Sequence, residues 1–138
     1  MRVTLGRTNG AAGSVYLPVV FANVSGSACT LYGYPGVSLL AGTPLAQVGA
    51  AATRSTAAAP ALVTLAPGQA AHALLRVVQA LNYPKATCSP TPTTELRIYP
   101  PNQTASVNVP FKSTGCASTS VKLLTIGAIQ AGTGSNGQ

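Results

Sequence analysis

The chain is almost without acid. Among its 138 residues Glu95 is the one carboxylate side chain, His72 the one imidazole, and there is neither aspartate nor tryptophan. A lone carboxylate excludes the paired Asp/Glu arrangement of a glycosidase within this chain and removes the usual oxygen ligands for Ca²⁺ or Mg²⁺. One histidine and three dispersed cysteines give no C-x-x-C or H-x-x-x-H pair, so no metal site is expected. The glycines form neither a G-x-G-x-x-G fingerprint nor a phosphate loop, and no cofactor is expected either. A Ser/His/Glu triad would need both His72 and Glu95 and has no G-x-S-x-G elbow to present its serine. A Cys29/His72 pair would lack an aspartate to orient the imidazole. The chain is therefore expected not to be an enzyme, and a Cys- or Ser-His envelope hydrolase stands as the weaker alternative.

Charge is scarce as well. Charged residues make up 7% of the chain, against about a quarter in ordinary soluble domains. The net charge of +7 comes from eight separated cations, Arg2, Arg7, Arg54, Arg76, Lys85, Arg97, Lys112 and Lys122. Nucleic-acid binders cluster such residues or interleave them with stacking aromatics, so no nucleic-acid partner is expected. A diffuse, salt-screened attraction to anionic envelope polymers or phospholipid surfaces fits this distribution, and a basic surface with no specific partner is the leading expectation.

Long apolar runs are missing too. None reaches the roughly 18 to 20 residues that cross a bilayer, so no transmembrane segment is expected. "MRVTLGRTNG" has no apolar stretch of the kind a signal peptide carries. Because Met1 leads directly into a strand-like "RVTLGR", the expectation is a mature domain from which a leader, or a lipidated cysteine with a linker, has been removed. That places the protein outside the cytoplasm, secreted or anchored to the cell envelope.

What is present is strand. "VYLPVVFANV", residues 15–24, alternates, with Val15, Leu17, Val19 and Phe21 on one face, while Pro18 calls for an edge or a bulge. Extended segments are expected at 3–7, 29–31 and 37–41, then a loose Ala/Thr/Ser-rich connection with one weak edge strand between Gly42 and Pro60. The stretch 61–79 has helix propensity in its second half, but "LVTL" followed by "APGQ", a β-turn sequence, predicts a strand, a turn and a second strand. Period two then puts Ala71, Ala73, Leu75 and Val77 on one face and His72, Leu74, Arg76 and Val78 on the other. His72 reads as a solvated strand residue. A Thr/Pro-rich loop follows Tyr83, and further strands are expected at 95–100, 106–111 and 120–129. Seven to nine short strands with no long helix describe an all-β protein, an immunoglobulin-like antiparallel β-sandwich. It occupies residues 1–130 as a single domain, with 131–138 as a flexible C-terminal tail.

Three cysteines in a neutral, turn-rich chain suggest one disulfide and one thiol left over. Cys88 and Cys116 lie equally far from Asn102, the centre of a hairpin between "ELRIYP" and "SVNVPF", so antiparallel arms bring them opposite one another. Cys29 is then unpaired, or its partner belongs to a missing N-terminal segment. Tyr16, Tyr32, Tyr34, Tyr83 and Tyr99 are the candidates for recognition, since rigid rings with a hydroxyl cost little entropy to immobilise, and the binding surface is expected at Tyr32, Tyr34 and Tyr99. The opposing expectation is that they pack against prolines at the ends of the sandwich.

Taken together, "ANVSGSACTLYGYPGVSLL", "VTLAPGQAAHALL", Cys88, "LRIYPP" and Cys116 resemble a family of actinobacterial extracytoplasmic proteins defined by a domain of unknown function. The resemblance rests on Asn23, Cys29, Leu31, Gly33, Tyr34, Pro35, Gly36, Leu65, Pro67, Gly68, Cys88, Pro100 and Cys116, and covers about residues 3 to 127. Its core is a Cys-x-Leu-x-Gly-Tyr-Pro-Gly signature. Such proteins are secreted or lipid-anchored and carry a further cysteine before the first strand, which this sequence lacks; no catalytic residues come with the resemblance. The function expected is a non-enzymatic binding or interaction domain of the envelope or secretome, its partner an unidentified protein or envelope polymer. The alternative is a structural subunit assembling by edge-strand pairing.

Overall fold

The computed structural model describes residues 1–11 and 13–134, and the last part of the expected tail, 135–138, lies outside them. Among the described residues the β-rich sequence becomes thirteen strands. These are β1 (Arg2–Leu5), β2 (Asn9–Ala11), β3 (Ser14–Ala22), β4 (Cys29–Leu31), β5 (Gly36–Ala41), β6 (Ala46–Val48), β7 (Thr53–Arg54), β8 (Val63–Leu65), β9 (Ala70–Val78), β10 (Pro90–Tyr99), β11 (Val107–Cys116), β12 (Leu124–Ile126) and β13 (Gln130–Ala131). The strands beyond the expected number are mostly bridges of two or three residues. One four-residue helical turn, α1 (Lys85–Cys88), interrupts the series.

The strands form an all-β sandwich. The larger sheet runs β1-β3-β9-β12-β7, with β2 added to β3 and β13 to β9, and the smaller runs β11-β10-β5-β6. A separate ribbon pairs β4 with β8. All ladders are antiparallel except the short parallel pairing of β12 with β7.

Alternation decides which side chains meet between the sheets. On β3 and β9, Leu17 opposes Leu75, Val19 opposes Ala73 and Phe21 opposes Ala71. All six are at most 1% exposed. Val19 and Phe21 thus sit across from alanines, which leaves room for the larger side chains in the layer. The smaller sheet contributes Val37 and Leu39 from β5 and Leu96 and Ile98 from β10 to the same cluster.

Pro18 lies inside the larger sheet, yet it breaks no ladder. Its carbonyl accepts from the Gly6 amide at 2.8 Å, so its missing N–H also points toward β1, at the place where β1 has ended and β2 has not begun. The prolines of β10 are placed by the same rule. Pro90 and Pro92 were expected in a loop, but they pair with Cys116 and Thr114 of β11 where β10 has no second neighbour, since its pairing with β5 starts only at Glu95.

The "APGQ" turn forms as expected: the Gln69 amide donates to Ala66 at 3.0 Å and Gly68 has φ +85°, the type II geometry that favours glycine at the third position. Asn23 clasps this turn to β3. Its backbone bonds both Gln69 and Gly68, and its buried side chain bonds Ser25, Ser27 and Leu65.

Candidate functional site

The three candidate tyrosines differ in their surroundings. Tyr32 is half exposed, and its carbonyl accepts from the Asn102 side chain at 3.3 Å, so the tip of the β10–β11 hairpin reaches this corner. Tyr34 turns inward instead. It packs against the core, and its hydroxyl donates to the Ser55 carbonyl at 2.8 Å, while the Arg54 guanidinium lies 5.1 Å from its ring centre. Tyr99 lies against Gly36, close enough that a Cβ there would touch its ring at 3.4 Å. The Gly-Tyr-Pro-Gly turn is bonded to the larger layer through the Gly33 carbonyl, which accepts from Ile129 at 2.9 Å.

The cysteines divide as the spacing suggested. Cys88 and Cys116 form a disulfide, both buried, at the base of the β10–β11 hairpin. Cys29 is a free, half-buried thiol paired through its backbone with Leu65, and its side chain packs on the main core.

His72 departs from expectation. It is 6% exposed, not solvated, because the chain after β13 crosses it: its Nδ1 lies 3.1 Å from the Gly132 carbonyl, and a Cβ on Gly134 would collide with its ring. It faces away from the core, on the side of β9 opposite Leu75. Cys29 packs on the core, and Glu95 belongs to the other sheet, between Leu40 and Pro110. The residues that could have made a triad or a thiol–imidazole pair are therefore held apart.

The structure assembles a different site on the outer face of the larger sheet. There Tyr16 of β3, Arg76 of β9 and Thr125 of β12 stand side by side across three strands. In the next row Leu74, 47% exposed, lies opposite Pro18 of β3 on one side and beside Gly127 on the other, whose amide donates to the Leu74 carbonyl at 2.9 Å. Ser55, Ala57 and Ala58 wall one side, and the cleft encloses about 330 Å³. Arg76 is exposed and has two partners there. Its Nε donates to Ser14 Oγ at 3.2 Å, and its guanidinium lies 5.9 Å from the centre of the Tyr16 ring.

Sequence reasoning placed Leu74 and Arg76 on the outward face of β9 but gave them no role. The alternation in β3 put Tyr16 outward as well; the cross-strand register that joins the three, and the return of residues 55–58 to their side, carry no local signal.

A family model described as "Domain of unknown function (DUF4232)" matches residues 1–130, and the chain belongs to that family. No curated protein and no solved structure matches it.

Proposed function

We propose that this member of a family of unknown function is a non-enzymatic, extracytoplasmic binding module of the bacterial cell envelope or secretome, which engages a protein or an envelope polymer through the cleft beside β9. The observation that carries the reading is the composition of that cleft. Among the described residues its ionisable groups are Arg76 and Tyr16, and no carboxylate side chain, imidazole or thiol lines it. An anchored cation beside exposed apolar surface suits recognition, whereas proton transfer at neutral pH calls for a group such as histidine or a raised carboxylate. The buried Cys88–Cys116 bridge supports an oxidising compartment.

The test is an amide NMR map of the protein titrated with soluble fragments of bacterial cell wall, with the fragments followed by mass spectrometry. Saturable shifts at β9 and β12 with fragments recovered intact are expected. Cleavage or transfer of the fragments overturns the non-enzymatic reading, and an unchanged map overturns the envelope-polymer partner. Assembly by edge pairing has less support, because β11, the outer strand of the smaller sheet, carries Pro110 and Lys112, residues that blunt an edge.

A further inference from the structure

Among the described residues Arg76 has no counter-charge. The chain's one carboxylate side chain, Glu95, sits in β10 of the other sheet. Nε is occupied by Ser14 Oγ, and Ser14 is only 2% exposed, so one edge of the guanidinium is tied to the sheet. The ring of Tyr16 restrains its plane. Such tethering removes much of the rotamer entropy that an arginine otherwise loses on binding. The terminal Nη groups then offer the planar, two-donor fork that matches a carboxylate. Beside them the floor is apolar: Leu74, Gly127 and the buried Ala128, with Ala57 and Ala58 as a wall.

We propose that the cleft is a site for a monocarboxylate joined to a compact apolar body, the carboxylate on Arg76 and the apolar part over Leu74. This rests on the binding reading above and names the class of ligand. Arg76 is the one cation of the lining, beside the hydroxyls of Tyr16, Ser55 and Thr125 and the amide of Gln130, and a single cation suits a single negative charge better than a doubly charged phosphate, which calls for a second. A volume near the lower end of the ligand-site range suits a ring or a short branched chain. Gly127 keeps the floor open opposite Leu74, where a Cβ would meet backbone at an ordinary 3.6 Å and a larger side chain would fill the space. The carboxylate can come from a free organic acid or from the C-terminal residue of a peptide, and both present the same two oxygens.

The test titrates the full chain, followed by amide NMR, with hexanoate, with phenylacetate, with hexanamide, and with a hexapeptide ending in leucine as its free acid and as its amide. Saturable shifts at Leu74, Arg76, Thr125 and Gly127 are expected for the free carboxylates, with affinity at least about tenfold weaker for the neutral amides, the size of one charge-assisted hydrogen bond. Arg76→Gln should weaken carboxylate binding about tenfold or more while leaving core amides in place. Ala58→Tyr, at an exposed wall position, should block the cleft without touching Arg76, and serves where Arg76→Gln fails to fold. Response to the small acids alone, to the acid-ended peptide alone, or to both supports the inference and identifies the source. Equal binding of hexanoate and hexanamide, or no saturable response to any free carboxylate, overturns it. In either of those events, cell-wall fragments that still shift the same amides leave the binding reading standing.

Discussion

The hydroxyl of Tyr34 donates to the carbonyl of Ser55 across 2.8 Å, joining the Gly-Tyr-Pro-Gly corner to the wall of the cleft. Ser55 is held from its other side as well, its amide donating to the Ile126 carbonyl at 2.8 Å. The most distinctive stretch of the sequence thus acts on the cleft at one remove.

Tyr34→Phe is expected to cost about 1 kcal/mol, the usual net worth of one hydrogen bond, and to leave the fold intact. Because the bond it removes positions Ser55, hydrogen exchange of the 53–58 amides should speed up in the variant, while exchange in β3 should not change. An unchanged 53–58 segment would mean that the β7–β12 pairing alone fixes the wall.

Removing the disulfide should be costly. It closes a separation of 28 residues, and loop-closure arithmetic gives about 3 to 4 kcal/mol. The double variant Cys88→Ser/Cys116→Ser should show that loss in urea unfolding, and reducing agent should produce a similar loss in the natural chain. Cys29→Ser should shift the midpoint far less, since its side chain is only half buried and makes no bridge.

Asn23→Ala is expected to destabilise by about 2 to 3 kcal/mol, because it strips partners from the Leu65 and Ser27 carbonyls and from the Ser25 amide in one step. The same measurement on Asn23→Asp should give an equal or larger loss, since a carboxylate accepts from Ser25 but donates to neither carbonyl.

Gly49 has φ +75°, and a Cβ there would collide with the carbonyl of Cys116. Gly49→Ala should therefore lower the melting temperature by more than Gly10→Ala does, where nothing lies within 4 Å of the added atom. Thermal unfolding by circular dichroism makes the comparison directly.

Much of the architecture was legible because alternation is a local property. The face of Leu17, Val19 and Phe21, the face of Ala71, Ala73 and Leu75, and the turn between β8 and β9 all follow from neighbours in sequence. The symmetry of the hairpin about Asn102 identified Cys88 and Cys116. What escaped depends on remote chain. Pro90 and Pro92 read as loop because a sequence does not reveal which edge of a strand is free. His72 reads as solvated because the segment that buries it, Gly132 to Gly134, has no pattern of its own. The cleft needed the register of β3, β9 and β12 together, so Arg76 looked like one scattered cation among eight.

The ladder between β3 and β9, which joins Ser14 to Val78, also sets a time order. Hairpins such as β2–β3, β5–β6 and β10–β11 close short loops, whereas β3–β9, β5–β10 and β9–β12 must each bring distant parts of the chain together. Closure entropy grows with the intervening length, and all-β topologies of this kind fold in about milliseconds to seconds. The hairpins are therefore the early products, and Cys88 can meet Cys116 while the larger sheet is still open. Closure entropy thus predicts that the cleft, which requires β3, β9 and β12 in final register, forms after the hairpins.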